Sequence, residues 1–165
     1  MKTESNQYPK IKKQGNILKV PVMIEEKTRT IEGTEETYYS YYLIRTENRG
    51  LNELDLLKEL TLEKLNDIYE YYASQIVKQY PNREVETFRK QVEEAKKYIA
   101  DNTASVPFIE NLAIERGLTV AEMADKILAK DAQFSELSGQ LTGKRQRLEK
   151  EVKNATIDTV QSIAW

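Results

Sequence analysis

The spacing of apolar residues changes character once, near residue 50, and that change limits what the chain can become. Before it, β-branched and aromatic residues gather in short runs; after it, apolar residues recur at steps of three and four. This predicts an α+β protein: a small antiparallel β meander over residues 1–50, followed by an all-α helical bundle over 51–165.

Within the first part, Tyr8–Lys13 and Ile17–Met23 flank Gly15-Asn16, a plausible two-residue hairpin loop. Pro21 lacks a backbone N–H, so the second strand is expected at an edge or bulged. The polar stretch Glu25–Glu36 reads as a loop. Thr37–Arg45, with Tyr38, Tyr39, Tyr41 and Tyr42, is the strongest strand signal in the chain. So small a sheet must lean on something to be stable.

The helical part divides at its own punctuation. A short helix is expected from about Glu53 to Leu60, then a second, capped by Thr61, with Leu62, Leu65, Ile68, Tyr69, Tyr72 and Ile76 on one stripe and Pro81 at its end. Asn82 is expected to cap a third helix with a seam at Val85, Phe88, Val92, Ala95 and Ile99. Pro107 suits a first helical turn, and Gly117 a C-terminal stop. Thr119 and Glu122 make a capping box, with Val120, Met123, Ala124 and Ile127 behind it. A longer helix is expected from about Ala132 to Lys153, with Phe134, Leu137, Leu141, Leu148 and Val152 facing the core, and Thr156 caps a last short helix.

Composition removes much chemistry. The 165 residues include no cysteine and no histidine. Disulfides, thiolate nucleophiles, Ser–His and Cys–His pairs and the usual zinc and iron sites are therefore excluded. No Gly-x-Gly pair exists among the six glycines to cradle a phosphate. Carboxylate neighbours such as Glu93-Glu94 and Glu84 with Glu86 read as solvated helix faces. The expectation is a non-enzymatic protein with no catalytic residue, no metal and no cofactor. The apolar runs fall short of the ~20 residues a membrane span needs, and no signal-peptide core follows Met1-Lys2. Lys and Arg total 25 against 27 Asp and Glu, a net charge of −2. That balance disfavours nucleic acid as a partner, and the stretch after Thr119 has no turn separating a reading helix. The basic cluster Lys144, Arg145, Arg147, Lys150 and Lys153 is broken by Glu149 and Glu151 and reads as a solvated face.

Two features invite contact with another macromolecule. Alternation puts Tyr38, Ser40, Tyr42 and Ile44 on one face of the tyrosine strand and Tyr39, Tyr41, Leu43 and Arg45 on the other. One set must pack on the helices. The other is either an exposed aromatic patch for a protein partner, centred on Tyr39, Tyr41 and Arg45, or is enclosed within the fold. On the long helix, Ala132, Ser135, Gly139 and Gly143 line up away from the expected core side. Such a stripe lets another backbone approach, within the bundle or from a second subunit in a homo-oligomer; tolerated glycines are the alternative.

The run Val106–Ala113, then Arg116–Thr119, Ala124, Ile127–Lys130, Ser138-Gly139, Gly143–Gln146, Asn154–Thr156 and Ile163-Ala164-Trp165 resembles the helical C-terminal module of tailed-bacteriophage tail-fibre-associated and tail-fibre-assembly proteins. The upstream Gln91, Glu94 and Ala95 fit as well, so the resemblance spans roughly residues 65–165. It implies a tail-fibre assembly chaperone or fibre-binding accessory protein, or else a structural subunit retained in the virion. The implied partner is a phage tail-fibre or other tail protein. The implied location is the host cytoplasm during assembly and, for a retained subunit, the virion tail. No functional residue comes with it; a DNA-binding regulator fits least well.

Overall fold

A computed structural model describes residues 2–165. It has strands β1 (Lys2–Ser5), β2 (Lys12–Gln14), β3 (Ile17–Ile31) and β4 (Thr34–Glu47). Helices α1 (Glu53–Val77), α2 (Asn82–Ala100), α3 (Pro107–Arg116) and α4 (Val120–Asn154) follow, with a 3-10 turn at Val160–Ser162. The class is α+β, as the change of periodicity predicts, and the sheet is antiparallel and four-stranded in the order β1-β4-β3-β2.

Two local expectations change. Tyr8–Ile11 is not a strand; the first strand is Lys2–Ser5, paired with Tyr39–Tyr42 of β4. The stretch Glu25–Glu36 is not a loop, because β3 and β4 run on as a long hairpin to Ile31 and Thr34. Its turn residues Glu32 and Gly33 both have positive φ, 50° and 80°, the geometry of a type I′ turn that suits the twist of the flanking strands. Pro21 is followed at once by a bulge: Val22 pairs Tyr42 and Glu25 pairs Ser40, so Met23 and Ile24 both stand opposite Tyr41. Met23 takes a φ of 53° at this bulge and is 1% exposed.

The helices join where the sequence suggests breaks. Asn52, not Thr61, caps α1: its Oδ1 accepts the Asp55 N–H at 2.9 Å, and the helix passes straight through Thr61. Nothing between Ile127 and Ala132 breaks a helix, so the Thr119-capped segment and the expected later helix are one element of 35 residues. The capping box forms, with the Thr119 N–H donating to Glu122 at 2.8 Å and the Glu122 N–H to Thr119 Oγ1 at 3.2 Å. Gly117, at φ 64°, closes α3, and the Leu118 N–H reaches back to the Ala113 carbonyl at 2.9 Å. No side chain caps α2; Asn82 is its first residue.

The chain divides into two compact units, and the division does not fall at residue 50. One unit holds the described residues up to Glu70 together with Thr142–Trp165; the other is Tyr71–Leu141. The physical reason is the sheet. Its Leu18, Val20, Val22, Tyr42 and Ile44 face needs cover, and the first part of α1, the end of α4 and the closing segment supply it. Leu56, Leu57, Leu60, Leu65, Leu148, Val152 and Val160 form that core, with Ile163, Ala164 and Trp165 packed on it. Each fully buried leucine contributes about 1.5–3 kcal/mol. The Gln161 side-chain amide donates to the Pro21 carbonyl at 2.9 Å, tying the closing segment to β3.

In the second unit Ala95, Val106, Ile109, Ala113, Met123, Ala124 and Ile127 make the core. Glu94 is not a solvated carboxylate. Its side chain is 6% exposed, and Oε2 accepts the N–H groups of Phe108 and Ile109 at 2.8 and 3.1 Å, closing the open first turn of α3. Phe134 and Leu137, expected in the core, are 43% and 49% exposed.

Candidate protein-binding surface

The segment 6–11 decides what the tyrosine strand can offer. β1 lies beside β4 at one edge and β2 beside β3 at the other, so the link between them crosses the sheet. It crosses the face that bears Tyr39: the Tyr8 and Tyr39 rings meet edge to face with centroids 5.3 Å apart, and Pro9 is buried. Burial and the Tyr39 contact push the Tyr8 hydroxyl pKa up, burial being the larger cause.

The aromatic patch expected at Tyr39, Tyr41 and Arg45 is therefore not a free surface. Tyr41 is 9% exposed beneath this cover and opposite the bulge, so it is removed from the candidate site. Tyr39 is half-buried under Tyr8, and only Arg45 is exposed. On the other face, Tyr42 belongs to the core, with the Lys64 ammonium 4.7 Å from its ring centre. Tyr38 lies farther out, under the Arg29 guanidinium at 4.9 Å.

What the structure leaves open is the outer hairpin. Residues 26–35 are exposed on both faces. β2 pairs only with Ile17–Lys19, and the Pro21 carbonyl is already taken, so the outer edge of β3 from Glu26 to Ile31 has no strand beside it. In a two-residue hairpin the flanking pair, here Ile31 and Thr34, exchanges hydrogen bonds. Glu26, Thr28 and Thr30 then turn their backbone groups outward. Ion pairs lie along one face of the arm and at its base. Arg29 pairs with Glu36 at 2.9 Å, and Glu25 with Lys2 and Lys27 at 3.0 and 3.1 Å. The Glu25 carboxyl is held below its ordinary value: burial works against this, and the hydrogen bonds from Lys2 and Lys27 outweigh it.

The small-residue stripe also lies in the open. Ala132, Ser135, Gly139 and Gly143 are exposed, and a Cβ built on either glycine would meet nothing within 4 Å. Among the described residues no other helix comes close to either glycine. The basic cluster is largely paired: Arg145 with Glu149 at 3.1 Å, Arg147 with Glu151 and Lys153 with Glu149 at 2.6 Å each. A shallow depression is lined by Arg147, Lys150, Glu151, Asn154 and Thr159, and Arg147 there is already paired with Glu151. Among the described residues no group of three acidic side chains is placed to hold a metal ion, and no helix is long and apolar enough to cross a membrane.

Sequence reasoning missed the open arm because a strand exposed on both faces carries no apolar alternation. The turn residues Glu32-Gly33 were its one available signal. Comparison with known proteins gives one partial likeness: residues 129–165 match the family described as the HI1402 helical domain. That stretch takes in Ser138-Gly139, Gly143–Gln146 and Ile163-Ala164-Trp165, but not the run Val106–Ala113. No curated protein and no solved structure matches the chain.

Proposed function

We propose that this chain is a non-enzymatic, phage tail-associated protein that binds a tail-fibre partner, acting as an assembly chaperone or fibre-binding accessory. The observation that carries the binding reading is the unpartnered β3 edge from Glu26 to Ile31 on an arm exposed on both faces. A partner strand laid along it would exchange main-chain hydrogen bonds with Glu26, Thr28 and Thr30, and side-chain contacts would select the partner. The tail-fibre identity rests on the C-terminal resemblance alone. Arg45 remains in the proposed contact and Tyr41 does not.

The test is co-expression with a tail-fibre protein, reading recovery of soluble fibre and capture on a tagged copy of this chain. Thr28→Pro removes an outward N–H while leaving the β3–β4 ladder intact, so capture should fall at least tenfold. Undiminished capture by that variant refutes strand addition. A retained structural subunit is the second reading, favoured by the exposed Phe134 and Leu137 on α4. It predicts stoichiometric amounts of this chain in purified particles by mass spectrometry.

A further inference from the structure

We propose that Lys12, Lys19 and Arg45 form a cationic row that docks an acidic segment of the protein partner, an inference that rests on the protein-binding reading above. The register sets Lys12 opposite Lys19 and Lys19 opposite Arg45. Directly opposite residues share a face, with Cβ atoms about 4.5–5.5 Å apart. Three cations thus stand in line across three strands, within about 10 Å, on the face that carries Leu43 and Tyr39.

The arrangement is unfavourable for the fold by itself, since like charges directly opposite destabilise a ladder. Nothing among the described residues neutralises it. Among the described residues none of the three engages a carboxylate or any other partner, whereas Arg29, Arg49, Arg145 and Arg147 are each paired with glutamates. Residues 5–24 carry four lysines and no acidic residue, although the whole chain is slightly acidic. Glu47, two positions beyond Arg45, forms no ion pair with the row.

Lysines on an edge strand protect it from unwanted pairing, and that accounts for Lys12 and Lys13 on β2. It does not account for Lys19 and Arg45, which face each other across the β3–β4 ladder. An arriving anion does. A row this short has room for two or three charges, which suits a run of Asp and Glu in an extended segment. Nucleic-acid binding of useful strength recruits about six or more phosphates, and a chain of net charge −2 adds nothing to hold them.

The test uses the full chain, a fluorescein-labelled peptide of six consecutive glutamates, and labelled dT12 as the competing polyanion. The peptide should bind with an affinity that falls with salt. The pair Lys19→Ser with Arg45→Ser should weaken it at least tenfold. Arg83→Ser with Arg89→Ser, an equal loss of charge on side chains 91% and 90% exposed, should weaken it less than twofold. Circular dichroism checks that both double variants fold. Absence of peptide binding, equal weakening by the two pairs, or tighter binding of dT12 than of peptide overturns the proposal. Full fibre capture by the Lys19/Arg45 variant refutes the row and leaves the fibre-binding function standing. No fibre capture by the wild type, with peptide binding intact, refutes that function and leaves the row.

Discussion

Glu94 offers the most quantitative test of how the second unit is held together. α3 starts at Pro107 with no side-chain cap of its own, so the N–H groups of Phe108 and Ile109 would be left over at its first turn. Glu94 reaches them from α2 at 2.8 and 3.1 Å. A hydrogen bond to a charged group is worth about 1.5–3 kcal/mol, and a buried donor left without a partner costs about 1–3 kcal/mol. Lys90 stands 3.0 Å from the other carboxylate oxygen, as an ion pair without hydrogen-bond geometry. Its side chain is 58% exposed, so this pair adds little. Glu94→Ala should therefore cost about 3 kcal/mol, and Glu94→Gln, which keeps an acceptor but loses the charge, about 1–1.5 kcal/mol.

The same site has a pH signature. Burial alone would raise the Glu94 pKa; Lys90 and the Ile109 and Phe108 amides outweigh burial and hold it below the ordinary carboxylate value. A folded pKa lower than the unfolded one gives stability that is fully present above the unfolded value and is lost as pH falls through the folded value. Urea unfolding of the wild type should thus lose stability between neutral and acid pH more steeply than Glu94→Gln. Hydrogen exchange at the Phe108 and Ile109 amides should speed up in Glu94→Ala. A loss below about 0.5 kcal/mol with unchanged exchange at those two amides would refute the capping role.

The Thr61 hydroxyl is fully buried in mid-helix without a hydrogen-bond partner, so Thr61→Val, which keeps the shape, should gain about 1 kcal/mol in urea unfolding; a loss would mean that the hydroxyl is satisfied in solution. Glu32 holds a left-handed φ that asparagine or glycine adopts more readily. Glu32→Asn should slow exchange of the Ile31 and Thr34 amides, and unchanged exchange would argue against a type I′ turn. Gly139→Ala with Gly143→Ala meets open space and should stabilise α4 by up to about 1 kcal/mol per site. Sedimentation of that variant separates the roles: unchanged association makes these tolerated glycines, and lost association makes the stripe an interface between copies.

Legibility followed locality. Gly15-Asn16, Gly117 and the Thr119–Glu122 box were readable because each motif acts on residues next to it, and the structure uses all three as turn, stop and cap. Glu94 was misread because its partners lie 14 and 15 residues away, and nothing on its own helix shows that α3 starts beside it. Tyr41 was misplaced for a related reason. Its cover depends on Lys2–Ser5 pairing at the far edge, and Lys-Thr-Glu-Ser carries almost no strand propensity. The two helix joints were lost because Thr61 and the stretch before Ala132 permit a start without imposing one. Thr61 has a capping side chain, yet its hydroxyl caps nothing.

The sheet unit is assembled from both ends of the described chain, and synthesis is directional. Tyr71–Leu141 has every residue of its own core once α4 is half made. The apolar face of the sheet waits for Leu148, Val152, Val160 and Trp165, all synthesised after the helical unit. At about 5–20 residues per second, that is an interval of seconds in which the nascent strands stand bare. The helical unit should mature first, and a ribosome stalled before Leu148 emerges should present a folded helical unit and a protease-sensitive sheet.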